Sequence, residues 1–154
     1  MKTLTINELD ARSIYSEASG DFKRKLESHF GTDFFSQKVT DRVKTFEDAC
    51  NEVGIDPVTF DSEFDPVDET AYRKLKVIVR ALNEGWVPDW DNGNQRKWSP
   101  WFYMDSPAGF RFNVSLYVLT VTLSAGGSRL CFKTEALANY AANQFLDIYK
   151  AFLS

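Results

Sequence analysis

The chain has 154 residues, 44% of them apolar and 26% charged, with a formal net charge of −4. That length bounds one domain, 1–154, able to bury roughly 68–70% of its unfolded surface without a metal or disulfide. MKTLTINELD at the N-terminus has no long apolar run, so neither a signal peptide nor a membrane span is expected, and the expectation is a cytoplasmic protein with no membrane partner.

The charge is uneven. Residues 1–70 hold sixteen acids and eight bases, residues 71–154 six acids and ten bases, so only the C-terminal half suits an anionic partner. Cys50 and Cys131 lie 81 positions apart among apolar residues, which reads as two buried free thiols.

In chain order, Thr5 to Glu8 has the form of a capping box opening a helix over about 6–18. Ser19 can cap a second helix, with Phe22, Leu26 and Phe30 at four-residue spacing and Gly31 as its stop, so that 6–30 reads as two helices or as one broken at Gly20. Phe34 and Phe35 read as core anchors in a short connection. Thr45-Phe46-Glu47-Asp48 is another capping pattern, and the stripe Phe46, Ala49, Cys50, Val53 runs to Gly54. Residues 56–69, acidic and holding Pro57 and Pro66, read as a loop. A long helix follows, opened by Asp65-Pro66 or at Asp68, with Ala71, Tyr72, Leu75, Ile78, Val79 and Leu82 on one face and Gly85 as its cap.

The period then changes to two. Phe110, Phe112, Val114, Leu116 and Val118 alternate with Arg111, Asn113, Ser115 and Tyr117. Ser106–Gly109 and Ala125–Ser128 read as turns, and Leu119–Leu123 and Arg129–Lys133 as further strands. Thr134 caps one last helix to about Leu153, with its apolar face on Leu137, Ala138, Ala141, Phe145, Ile148, Tyr149 and Phe152. The expected fold is α+β: N-terminal helices, a three- to four-stranded antiparallel sheet at about 100–133, and a C-terminal helix packed on it.

Most chemistries lack their residues. The single histidine, His29, leaves no zinc set, and no metal or cofactor is implied. Asp61, Glu63 and Asp65 alternate as in a calcium loop, but Pro66 and Tyr72 stand where the loop needs Gly and an acid. The Asp89-Asp91-Asn92 stretch fails the same way at Pro100. There is no GxSxG, P-loop or GxGxxG, so no catalytic residue is assigned. Acids are plentiful, which leaves a carboxylate-based hydrolase as a third reading only.

All four tryptophans, Trp86, Trp90, Trp98 and Trp101, fall in residues 82–104, beside Asn92, Asn94, Gln95, Arg96 and Lys97. Aromatics among bases and amides suit a protein interface or single-stranded nucleic acid. Next to Gly85, Pro88 and Pro100, however, large rings also pin an irregular connection to a core. Trp86, Trp90 and Trp101 are therefore expected to be structural aromatics. Asn94, Gln95, Arg96, Lys97 and Trp98 are the candidate binding residues, joined by Arg111 on a polar sheet face that Asn113, Ser115 and Tyr117 would share.

Three stretches, Lys44 to Cys50, the run ALNEGWVPDW with PWF after it, and GSRLCFKTEALANYAANQFLDIYKAFL, resemble a family of short phage, prophage and mobile-element proteins of gut anaerobes that has no assigned activity. The resemblance covers about residue 20 to the end. It implies a phage-type accessory protein, places Trp98 where such proteins carry Tyr, and leaves 105–126 particular to this chain. The expected function is a non-enzymatic protein-binding module with a protein partner. The alternative is single-stranded nucleic-acid binding through the Trp-rich basic segment.

Overall fold

A computed structural model describes residues 5–60, 65–105, 107–119 and 130–154. The expected strand at 119–123 and the turn at 125–128 fall largely or wholly outside these, as do Ser106, Arg129 and the acidic run at 61–64. The chain forms two compact units, Met1–Arg42 and Val43–Ser154. Among the described residues no helix is long and apolar enough to cross a membrane.

The first unit is helical: α1 (Glu8–Glu17), α2 (Gly20–Phe30), α3 (Thr32–Ser36) and α4 (Val39–Arg42). The Thr5 capping box does not form. Asn7 caps α1 instead, its side chain accepting from the Asp10 N–H at 2.8 Å. Gly31, at φ +86°, breaks α2 from α3, a backbone angle that favours glycine. Phe34 and Phe35 are half-buried in an aromatic cluster. Tyr15 stacks on Phe35 at 4.0 Å, and the Arg12 guanidinium lies 3.7 Å over Phe34 while donating to the Phe34 carbonyl.

The second unit contains α5 (Phe46–Val53), a 3-10 turn (Pro57–Phe60), α6 (Val67–Leu82), β1 (Lys97–Tyr103), β2 (Arg111–Val118), α7 (Glu135–Gln144) and α8 (Leu146–Leu153). The capping box expected at α5 is present. Thr45 Oγ1 accepts from the Asp48 N–H at 3.1 Å, and Asp48 Oδ2 accepts from the Thr45 N–H at 2.9 Å. α6 is central. Ala71, Leu75, Ile78, Val79 and Leu82 are buried on its expected face with Tyr72 half-buried, Val77 and Ala81 are buried as well, and it packs on both α5 and α8. It ends before Gly85, through Asn83. That buried amide donates to the Cys131 carbonyl at 2.9 Å and accepts from the Lys133 N–H at 3.1 Å, fastening the helix end to the segment before α7.

The single C-terminal helix is in fact two, divided at Phe145 (φ −114°, ψ 32°). The break lets Phe145 bury and gives α7 and α8 separate tasks. α7 packs on both strands, and α8 packs on α6.

The sheet corrects the sequence reading most. Among the described residues it has two antiparallel strands, not three or four, plus one bridge from Trp98 to Phe132 (3.0 and 2.7 Å) where a strand over 129–133 was expected. The next hydrogen-bonded pair of that ladder would need an N–H from residue 100, which is Pro100. In the other direction Thr134 already caps α7. The same parity turns the Pro100 nitrogen away from β2, so proline costs the β1–β2 ladder nothing.

β1 and β2 pair from Lys97↔Val118 through Trp101↔Val114, then shift to Phe102↔Phe112. Asn113 is the extra residue of a β-bulge, and past it every side chain of β2 changes face.

Candidate functional site

The bulge rearranges the two faces. Toward the helices point Trp98, Pro100 and Phe102 of β1, opposed by Tyr117, Ser115 and Phe112. Phe102 sits 5.1 Å from Phe110 and 4.8 Å from Tyr149 on α8, and Ser115 is buried. Burial alone pushes the Tyr149 hydroxyl far above the usual tyrosine range. The polar face expected from Arg111, Asn113, Ser115 and Tyr117 therefore does not exist. Arg111 faces outward, Asn113 forms the bulge, and Ser115 faces the core.

The opposite face pairs Ser99 with Leu116, Trp101 with Val114, and Tyr103 with Arg111. It is apolar and open: Trp101 is 58% exposed, Leu116 49%, Val118 47%, Tyr103 42% and Val114 38%. The expectation of a structural Trp101 is thus reversed, because its place in the register is on the outer face. Arg111 lies 4.3 Å over the Tyr103 ring at the turn end of this face.

Its other end is closed by the connection before β1. Lys97 begins the outer row, yet it is 0% exposed. Its ammonium donates to the Asn92 and Gln95 carbonyls, both at 3.2 Å, and lies 5.3 Å from the Trp90 ring. The polar residues of 89–95 hold this connection in shape. Gln95 Oε1 accepts from the Asp89 N–H at 2.7 Å, Asp89 Oδ1 from the Asp91 N–H at 3.0 Å, and Asn92 Oδ1 from the Asn94 N–H at 2.9 Å. Lys97 and Gln95, expected to meet a partner, are instead engaged inside the connection. Trp86 and Trp90 are half-buried.

Of the remaining candidates, Arg96 and Trp98 are brought together. The Arg96 guanidinium is 4.7 Å over the Tyr117 ring, and Trp98 packs on the same ring at 4.9 Å. Asn94 is exposed nearby in sequence. Arg111 does not join them. Five residue steps along β1 separate the Trp98 and Tyr103 pairs, or about 16 Å along the strand.

Sequence reasoning missed Val114, Leu116 and Val118 as surface residues. Their alternation with polar neighbours is the ordinary sign of a core-facing row, and no residue type marks the extra position at Asn113.

Cys50 and Cys131 are buried free thiols, as expected. Burial pushes the Cys131 thiol up to about 11, against an opposing pull from Lys97. Burial likewise raises Cys50, with Glu47 adding to it. Among the described residues no three His, Cys, Asp or Glu side chains stand together as a metal set. No family model, curated protein or solved structure matches the chain.

Proposed function

We propose that the chain is a non-enzymatic protein-binding module, an accessory protein of the phage type its motifs resemble, and that the partner docks on the outer face of β1 and β2. The open row of Trp101, Val114, Leu116 and Val118 carries this reading. Among the described residues the sheet has two strands and buries one face on its helices. Leaving the other both apolar and open exposes large side chains to water with no gain to the fold, the usual mark of an interaction surface. Trp and Tyr beside an Arg also provide the side chains most often found as interface anchors.

The test is affinity capture from the protein's own cells with wild type and with Trp101→Ser/Leu116→Ser, folding being checked by circular dichroism. A protein retained by wild type and lost by the double variant is the expected result. Equal retention by both rejects this face.

One observation favours the second reading. Arg96 lies over the Tyr117 ring and Trp98 packs on that ring at a tilt, a cation–aromatic group whose side chains are of the kind that meet an unpaired base. A single-stranded nucleic-acid binder must lose affinity steeply as salt rises. Absence of binding to an oligothymidine at low salt ends that reading. The carboxylate hydrolase gains no specific support from the geometry.

A further inference from the structure

The shape and charge of the outer face restrict what covers it. It is a face and not an edge. The backbone groups of Lys97, Ser99 and Trp101 are turned into the ladder with β2, so an extended peptide laid across the face would find no backbone partners and would bury its own N–H and C=O groups unpaired. An α-helix satisfies its backbone internally and presents only side chains.

Area argues against a second copy. Five side chains of about 150–250 Å² each, roughly half exposed, offer about 400 Å², against about 800 Å² per partner in a stable interface. The length fits a short helix. From the first to the last of its seven residues β1 spans about 20 Å at a rise of about 3.3 Å per step, the rise of about fourteen helical residues.

Charge gives the last restriction. Arg111 is the exposed cation on this face among the described residues, held over Tyr103 at its end, while Lys97 is sealed beneath Trp90. Asp105 lies past the end of β1, and Asp89 and Asp91 lie in the connection at the other end. A carboxylate reaching Arg111 would make a charge-assisted bond on an apolar floor.

Resting on the docking reading above, we infer that the occupant is an amphipathic α-helix of a partner protein. It is about fourteen residues long, lays an apolar stripe on Trp101, Val114, Leu116 and Val118, and sets an Asp or Glu of its terminal turn at Arg111.

The test is selection against the whole protein from two displayed libraries of fourteen-residue segments, one grafted on a helical hairpin and one held extended by prolines. Binders are expected from the helical library, with apolar residues at i, i+3 or i+4 and i+7 and an acid in the terminal turn. Trp101→Ser should weaken them about tenfold or more. Arg111→Glu should turn the terminal preference from acid to Lys or Arg. Enrichment from the extended library, or helical binders with no acid preference and no response to Arg111→Glu, overturns the helix or its charge and leaves the docking face standing. Binders indifferent to Trp101→Ser and Leu116→Ser, or no binders from either library, overturn the inference. If captured cellular partners are also indifferent to that double change, the docking reading falls with it.

Discussion

Replacing Trp101 by alanine separates a surface anchor from a core residue. An indole of about 250 Å² that is 58% exposed has roughly 100 Å² covered, worth at most about 2.5 kcal/mol at about 25 cal/mol per Å². The unfolded chain already covers part of that area, and a truncation open to solvent leaves no cavity, so the expected loss is about 1 kcal/mol. Phe132→Ala is the control. Its ring is fully buried beside the Trp98 bridge, and its loss should cost about 3–5 kcal/mol. The assay is urea unfolding followed by far-ultraviolet circular dichroism, which does not depend on the tryptophan removed. A loss of about 3 kcal/mol or more for Trp101→Ala would place that ring in the core and refute the assignment of the outer face as an open surface.

Three further outcomes follow from the same geometry. Asn83→Ala should cost about 2–3 kcal/mol in urea unfolding, because it strips a partner from both the Cys131 carbonyl and the Lys133 N–H; a change below about 0.5 kcal/mol would show that water replaces the amide. Lys97→Met keeps the buried stem and frees two carbonyls in an exposed connection, so stability should move by only about 1 kcal/mol while thermolysin cuts within 86–96 much faster; unchanged cleavage would show that the ammonium does not hold the connection. The Cys131 pKa is raised on folding, so its contribution to stability is fully present below the ordinary thiol value and is lost as pH rises through about 11. Unfolding curves from pH 8 to 11 should show that loss and Cys131→Ala should lessen it, whereas rapid modification of Cys131 by a disulfide reagent in the folded protein at pH 8 would contradict it.

The parts legible in the sequence are local. Thr45 and Asp48 close a capping box whatever surrounds them, and a 3.6-residue stripe of the strength seen in α6 has one way to bury. The same locality explains the near misses at α1, where Asn7 competes with Thr5 as cap, and at Phe145, where one residue leaves helical geometry so that two helices meet different neighbours.

Tertiary structure decided the surface. Period-two alternation states that a strand has two faces but not which face meets the core after an inserted residue, and Asn113 is such a residue. It turned Val114, Leu116 and Val118 outward and Ser115 inward. Pro100 reduced the expected third strand to one bridge by withholding a single N–H, an effect that depends on register and cannot be read from proline alone. The fold of the 86–96 connection sealed Lys97 beneath Trp90 and left Trp101 open, reversing the roles their residue types suggested. Composition determined that this chain carries aromatic rings and cations near residue 100. Strand register, which depends on pairing between distant segments, decided which of them water and a partner can reach.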